Sequence, residues 1–86
     1  MGAHVYLVRC ADDTLYCGWT TDVARRVGEH QAGTASRYTR SRLPVVLAWS
    51  KEVASRGDAL REEHLIKRLS RPEKMRLVME RPSRTV

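Results

Sequence analysis

The 86-residue sequence has no apolar run that approaches the roughly 20 residues needed to cross a bilayer as a helix. Its start, Met1-Gly2-Ala3-His4, has neither the basic stretch nor the apolar core of a secretory signal. We therefore expect no membrane association and a cytoplasmic location. Repeats and low-complexity segments are lacking too. The length predicts one domain over residues 1–86, with a core over about 4–79 and a frayed tail over 80–86.

Cysteine is scarce, with only Cys10 and Cys17 in the chain. Neither has a second cysteine or a histidine at the spacing of a zinc site, which argues against a structural metal centre. Two cysteines in a protein that is not exported are better interpreted as half-buried thiols than as a disulfide. We expect reducing surroundings and a fold held together by its apolar core.

Acidic residues are outnumbered, with 10 Asp and Glu against 16 Lys and Arg and a net charge of +6. Polyanions are natural partners of such a basic chain, and the charge favours nucleic acid. The alternative is a solvated surface that needs no ligand, its many arginines reflecting the codon usage of a GC-rich genome.

Hydrophobic periodicity and turn residues predict a small mixed fold. Strands are expected over His4–Cys10, Thr14–Trp19 and Val45–Trp49. Helices are expected over Asp22–Gln31, capped by Thr20 or Thr21 and ended by Gly33; from Ser55 or Asp58 to Leu69; and after a capping box at Ser70-Arg71-Pro72-Glu73. Helical spacing predicts two core-facing sets: Ala59, Leu60, Leu65, Ile66 and Leu69, and then Met75, Val78 and Met79. The polar stretch between Gly33 and Pro44 is expected to be mostly loop, with room for a short helix.

Two tyrosines, Tyr6 and Tyr16, lie on the two strands of the opening hairpin. If the hairpin loop holds three residues, Ala11–Asp13, then Val8 opposes Tyr16, and Tyr6 is a diagonal neighbour of Tyr16 on the same face. A loop of two or four residues would put the tyrosines on opposite faces. Since tyrosine is a good strand former, two half-buried sheet residues are the plain alternative to two catalytic groups.

On the first helix, Arg26 and His30 are four residues apart and therefore occupy one side, where they could contact one phosphate together. His30 also continues the stripe of Val23 and Val27, which points it inward. A histidine packed at the core edge and an arginine on a solvated face is the alternative, and the residues alone favour it.

In the helix that follows Asp58, Glu62 and Glu63 both project near the centre of the inward arc. An inward carboxylate suits a hard cation, because Mg²⁺ is typically held by one or two carboxylates, with water and phosphate oxygens around it. The alternative is a pair of glutamates that bind Lys67 or Arg25 as ion pairs. Helical geometry does not choose between Glu62 and Glu63.

The loop Arg37-Tyr38-Thr39-Arg40-Ser41-Arg42 combines three arginines, hydroxyl groups and one aromatic ring, a set that suits a phosphate backbone. We predict that it binds nucleic acid through its polar and aromatic side chains: Arg37, Tyr38, Thr39, Arg40 and Arg42. A solubilising loop with Tyr38 packed into the core is the alternative.

Five ordered elements together resemble one family, the GIY-YIG nuclease domain, over about His4–Val78. They are His4-Val5-Tyr6; Tyr16-Cys17-Gly18, after nine intervening residues; Asp22-Val23-Ala24-Arg25-Arg26; His30; and Ala59-Leu60-Arg61-Glu62-Glu63. The resemblance is greatest to small stand-alone bacterial members. It implies an α/β domain with a three-stranded antiparallel sheet flanked by helices. It also implies a metal-dependent endonuclease that hydrolyses phosphodiester bonds in DNA, such as branched or damaged structures.

The resemblance also assigns roles by position. Tyr6 would deprotonate or orient the attacking water, with Tyr16 beside it. Arg26 would stabilise charge on the phosphate, and His30 would support the site. Glu63, not Glu62, would hold one Mg²⁺ or Mn²⁺.

The sequence departs from the family pattern at some positions. The Gly and Ile of the first tripeptide are His4 and Val5, and the Ile of the second is Cys17. The chain has no asparagine, which several active members use late in the domain. Active relatives usually carry a second domain that selects the substrate. We expect none here, and therefore a monomer that takes its targeting from a protein partner. A non-catalytic nucleic-acid-binding module of the same fold is the alternative function.

Overall fold

Three strands form one antiparallel sheet in the order β2-β1-β3, and helices cover both of its faces. The structure is a computed structural model that describes residues 2–80 and, of Glu80, the backbone only. In chain order its elements are β1 (Ala3–Arg9), β2 (Leu15–Thr20), α1 (Val23–Gln31), α2 (Arg37–Arg40), β3 (Val46–Val53), α3 (Arg56–Lys67) and α4 (Arg71–Glu80). The predicted fold is confirmed, whereas the side chain of Glu80 and residues 81–86 of the predicted tail lie outside this description.

The hairpin of β1 and β2 has the register that brings its tyrosines together. Val8 pairs with Tyr16, and Tyr6 pairs with Gly18. Cys10 N–H donates to the carbonyl of Thr14 at 2.9 Å, which leaves a loop of three residues between them. Asp13 has φ of 69°, the left-handed conformation expected at the end of such a loop. Of the registers that the sequence left open, the structure thus has the one with a three-residue loop, and Tyr6 and Tyr16 share a face.

Side-chain alternation divides the core between the two faces of the sheet. One face packs against α3 and α4 and contains Ala3, Val5, Leu7, Leu15, Cys17, Trp49, Ala59 and Ile66. The opposite face contains Tyr6, Val8, Cys10 and Val45, with Tyr16 and Val27 packed against them. Both cysteines are free and buried. The tyrosines therefore lie on the side of the sheet that faces α1.

Two boundary predictions were wrong. β3 continues past Trp49 to Val53, although Ser50 and Lys51 are polar, because these residues pair with the buried central strand β1. The N-cap of α1 is Asp22, whose carboxylate accepts from Arg25 N–H at 3.1 Å, and not Thr20 or Thr21. The Thr20 hydroxyl instead accepts from Asp22 N–H.

The other predicted caps are confirmed. Ser55 caps α3, with its hydroxyl accepting from Asp58 N–H at 3.1 Å. Ser70 and Glu73 form the predicted capping box of α4, in which Ser70 N–H donates to the Glu73 carboxylate at 2.8 Å. Helix α2 occupies part of the stretch expected to be mostly loop. No helix within residues 2–80 is long and apolar enough to cross a membrane.

The predicted inward arcs of the C-terminal helices were too wide. Leu60 and Leu65 are 50% and 58% exposed, because α3 contacts the sheet through a narrower stripe that includes Ala59 and Ile66. Met79 is 74% exposed, whereas Met75 and Val78 pack against the core as predicted, together with Leu77. Leucine spacing alone does not define the contact face of a helix that is only half covered.

Candidate active site

Tyr6 is fully buried, and its phenol oxygen lies 2.8 Å from Nε2 of His30. The space for its ring comes from Gly18, the residue that pairs with Tyr6 across the hairpin. A Cβ at position 18 would lie 2.5 Å from the phenol oxygen. The Tyr6 side chain therefore extends across β2, which is an edge strand, toward the rim of the sheet.

His30 is fully buried and has a partner on each ring nitrogen. Its Nδ1 lies 2.8 Å from Oγ1 of Thr39, which is itself buried and lies 2.9 Å from Oγ of Ser36, the N-cap of α2. Tyr6, His30, Thr39 and Ser36 thus form a continuous chain of hydrogen bonds. Because hydroxyl groups can donate or accept, the chain can satisfy either tautomer of a neutral imidazole.

The structure assigns Thr39 a place different from the predicted one. We expected it to contact nucleic acid, but its side chain is inaccessible and is hydrogen-bonded to His30. The sequence offered no signal for this role, since a threonine in a polar loop resembles a surface residue. Arg37, Tyr38 and Arg40, on the same short helix, are exposed.

The pKa of His30 is lowered, first because burial penalises the charged ring and second because the Arg26 charge repels it. An ordinary histidine has a pKa of about 6.5, so as the pH falls the unfolded chain binds the proton before the folded chain does. The free energy of unfolding should therefore decrease as the pH falls below about 6.5, and this contribution should level off below the folded-state pKa. Above about 6.5 the contribution is complete.

Urea unfolding at about pH 7.5 and about pH 5.5 measures this dependence. The native protein should lose stability between the two, and His30→Gln should lose less because glutamine does not titrate. Equal losses in both proteins would contradict the assignment to His30.

Two tyrosine rings lie between His30 and the surface. The Tyr16 ring packs edge-on against His30, with centroids 5.3 Å apart, and stacks on Tyr38 at 5.7 Å. The Arg42 guanidinium lies 3.8 Å from the centre of the Tyr38 ring and donates to Asp12 in the hairpin loop at 3.0 Å. Tyr38 is therefore neither in the core nor loose in solvent, since it is stacked at the rim of the site.

Arg26 reaches the site from α1. Burial raises the pKa of Tyr6, and the nearby Arg26 guanidinium partly opposes this shift. The Arg26 guanidinium also donates to Glu29 at 2.8 Å. Arg26 therefore acts on Tyr6 while one of its donor groups is engaged by a carboxylate.

The two glutamates of α3 diverge. Glu62 lies 3.5 Å from Nζ of Lys51 in β3, whereas the backbone carbonyl of Glu63 lies 4.0 Å from Sγ of Cys17 in β2. Burial, followed by the charge of Glu63, raises the pKa of Cys17 to about 11. The Glu63 side chain is 18% exposed, and its carboxylate lies 3.4 Å from Nζ of Lys67. Glu63 is thus on the side of α3 nearer the edge strand.

Tyr6, Tyr16, Arg26 and His30 are brought together on one face, while Glu63 lies on the helix that covers the other. Among residues 2–79 no group of three or more His, Cys, Asp and Glu side chains is close enough to hold a metal ion. A candidate cation site would have to rely on the single carboxylate of Glu63.

A family model described as the GIY-YIG catalytic domain matches residues 2–76. The chain belongs to the GIY-YIG family. A GIY-YIG domain supports a nuclease type of function.

Small relatives of the chain are found in archaea and bacteria. The UPF0213 protein VNG_2274C of Halobacterium salinarum is 51% identical over 71 residues, which cover 83% of this chain and 92% of the relative. The UPF0213 protein SH2523 of Staphylococcus haemolyticus is 42% identical, covering 91% and 95%. These names state no activity or substrate.

Two solved structures have the same fold. The solution NMR structure of the UPF0213 protein BH0048 from Bacillus halodurans has a TM-score of 0.62 and 38% identity, covering 96% of this chain and 88% of that one. The solution NMR structure of EF2693 from E. faecalis has a TM-score of 0.64 and 28% identity, covering 100% and 92%. This GIY-YIG chain therefore shares its fold with small proteins of nearly the same length.

Proposed function

We propose that the protein is an endonuclease that hydrolyses phosphodiester bonds in DNA with one Mg²⁺ or Mn²⁺. The observation that carries the proposal is the buried hydrogen bond between the Tyr6 phenol and His30, at the edge strand and beside Arg26. Phosphodiester hydrolysis needs a positioned water, a cation against the phosphate oxygens and assistance to the leaving oxygen. Membership of the GIY-YIG family supports the nuclease class.

Tyr6 is a weak base by itself, since a phenol has an ordinary pKa of about 10 and burial raises that of Tyr6 further. The bond to His30 offers a route around this difficulty. When the phenol donates its proton to Nε2, the phenol oxygen keeps a lone pair that can accept a proton from water. Tyr6 would take the proton of the attacking water while passing its own to His30. Because burial lowers the pKa of His30, the imidazole would hold that proton only transiently.

Arg26 would bind the phosphate whose bond is cleaved. Its guanidinium has five N–H donors in a planar fork that matches phosphate oxygens, and its ion pair with Glu29 occupies only part of that set. Its side chain is 34% exposed, so a substrate phosphate can approach it. Tyr16, which packs edge-on against His30 and stacks on Tyr38, would keep the His30 ring in place.

Glu63 is the residue that would hold the metal ion. A single carboxylate fits Mg²⁺ or Mn²⁺, since such ions keep several water ligands and take others from substrate phosphate. Its position near β2 distinguishes it from Glu62, which is paired with β3. When bound, the cation would supply polarisation of a phosphate oxygen and stabilise the leaving oxygen. Lys67 would have to release the carboxylate.

The substrate surface would be formed by the exposed residues Arg37, Tyr38 and Arg40 of the predicted loop, together with the half-buried Arg42. Binding there would be salt-dependent and weak in sequence preference, because phosphate contacts carry no sequence information. Preference for a particular DNA structure would then depend on a protein partner, with this chain acting as a monomer.

Glu63→Gln and Glu62→Gln form a matched pair that tests the metal site. With labelled duplex, single-stranded and branched DNA, the native protein and Glu62→Gln should cleave in Mg²⁺ or Mn²⁺ and stop when chelator is added. Glu63→Gln should lose activity by at least about 100-fold, because it loses the charge that holds the cation while keeping its shape. Equal activity of the two variants would refute the role of Glu63.

A non-catalytic nucleic-acid-binding module is the second candidate function. The observation in its favour is that Arg26 and Glu63 are both in ion pairs, with Glu29 and Lys67. Binding of DNA by the native protein, without cleavage in any metal, would establish it.

A further inference from the structure

A cleft of about 340 Å³ lies where the end of β2 meets the first turns of α1 and α3. It is lined by Trp19, Thr20, Thr21, Arg25, Arg26 and Arg56, and we refer to it as the arginine cleft. Arg26 belongs both to this cleft and to the group around Tyr6. The cleft therefore adjoins the candidate active site.

Arg56 differs from the other two arginines of the cleft in its ion pairing. Arg25 and Arg26 both bind Glu29, at 3.1 Å and 2.8 Å, and Arg25 also lies 3.9 Å from Asp22. Arg56 makes no ion pair with any carboxylate among residues 2–79, and its guanidinium lies 5.4 Å from the centre of the Trp19 ring. An exposed guanidinium with no carboxylate partner is available to a ligand anion.

The residues that line the cleft also suit an unpaired nucleotide as their ligand. Guanidinium groups and threonine hydroxyls bind phosphate oxygens, and an indole ring provides a surface on which a base stacks. Trp19 is half-buried, so its ring is both fixed by the core and accessible. Stacking on Trp19 requires a base that is not held in a duplex.

The arginine cleft lies at one end of the edge strand, and the Tyr38 and Arg42 pair lies at the other, beside the hairpin loop. The six residues of β2 span roughly 20 Å, with Tyr16 and Gly18 between its ends. A nucleic-acid strand along this edge would pass Arg42, then Tyr6 and Arg26, and then Arg56.

We infer that the arginine cleft binds the unpaired strand that flanks the cleaved bond. Arg26 binds the phosphate of that bond and Arg56 binds a second phosphate of the same strand. The base next to this second phosphate stacks on Trp19. The inference rests on the proposed function, because it takes the ligand of the Tyr6 face to be nucleic acid. It adds a single-stranded flank to the substrate that this site accepts.

Arg56→Ala and Arg68→Ala test the inference as a matched pair. Each removes one positive charge from α3 or its C-cap, but Arg68 lies about 18 Å farther along the helix. Affinity for a labelled single-stranded oligonucleotide is measured by fluorescence anisotropy across a range of salt concentrations. Arg56→Ala should bind about 3–10-fold more weakly and lower the slope of log K against log salt by about 0.7, the effect of one lost phosphate contact.

Trp49→Phe leaves Trp19 as the only tryptophan, so that its fluorescence reports on the cleft. Trp49 is buried and its Nε1 has no hydrogen-bond partner, so phenylalanine should be tolerated there. The oligonucleotide should quench this fluorescence, and Arg56→Ala should shift the quenching to higher concentrations.

Identical affinities and salt slopes for Arg56→Ala and Arg68→Ala, or no quenching of Trp19, would overturn the inference. Cleavage tests the proposed function separately. Binding that depends on Arg56 without any cleavage would refute hydrolysis and support the cleft. Cleavage accompanied by equal salt slopes in the two variants would support hydrolysis and refute the cleft.

Discussion

Replacing Tyr6 with phenylalanine is expected to lower the cleavage rate by about 100-fold to 10,000-fold, the usual range for loss of a positioned acid or base. The ring would remain in its place over Gly18, but no oxygen would be left to take a proton from water. DNA binding should be unchanged, because Tyr6 is buried and does not contribute charge to the surface. Initial rates under saturating DNA measure the effect directly.

The same substitution should also destabilise the fold. Removal of the phenol oxygen leaves Nε2 of His30 buried without a partner, which costs about 1–3 kcal/mol. Urea unfolding would give the fraction of the variant that is unfolded, and hence the activity lost for that reason alone. Cleavage rates are then compared at a temperature where the variant is folded. A folded Tyr6→Phe protein that cleaves at the native rate would exclude Tyr6 from the chemistry.

Gly18→Ala should have the second-largest effect on cleavage, because its side chain would clash with Tyr6. The new Cβ would lie 2.5 Å from the phenol oxygen and 2.7 Å from Cζ, so the buried Tyr6 ring would have to shift. We expect a loss of about 1–3 kcal/mol of stability from overpacking. Cleavage should fall at least about 10-fold in protein that is still folded, since small displacements of a catalytic group are costly.

Gly28→Ala is the control for Gly18→Ala. Gly28 lies within α1, and an added Cβ would meet no atom within 4 Å. Alanine in a helix interior is favoured over glycine by up to about 1 kcal/mol, so this variant should be slightly more stable than the native protein. Chemical unfolding and cleavage of both alanine variants would separate the steric effect from a general effect of glycine replacement. Equal stability of Gly18→Ala and Gly28→Ala would contradict the steric effect at position 18.

Much of the fold could be predicted because its local signals agree with the final contacts. The loop Ala11–Asp13 determines the register of the hairpin, and the register determines the shared face of Tyr6 and Tyr16. The capping box at Ser70 is likewise local, since both partners lie within one turn. Predictions failed where the answer depends on which other element a strand or helix packs against. The C-terminal end of β3 and the exposure of Leu60 are two examples.

The candidate site was predictable only in part, for a related reason. Spacing placed Arg26 and His30 on one side of α1, and the family resemblance supplied their roles. The partnership of His30 with Thr39 was not visible, because nothing in a polar loop indicates which hydroxyl is buried. Helical geometry did not choose between Glu62 and Glu63, and the family resemblance assigned the metal to Glu63. The strand that each glutamate approaches, β2 for Glu63 and β3 for Glu62, was visible only in the tertiary structure.

The chain of hydrogen bonds from Tyr6 through His30 to Thr39 joins β1, α1 and the short helix α2, and its members are separated in sequence by 24 and 9 residues. A partly folded form that lacks any one of these segments lacks the chain too, because each link needs a different segment to be in place. Under the proposed function, transfer of a proton from Tyr6 to His30 would therefore require all three segments to be folded together. A newly made chain would then cleave no nucleic acid before these segments had come into contact.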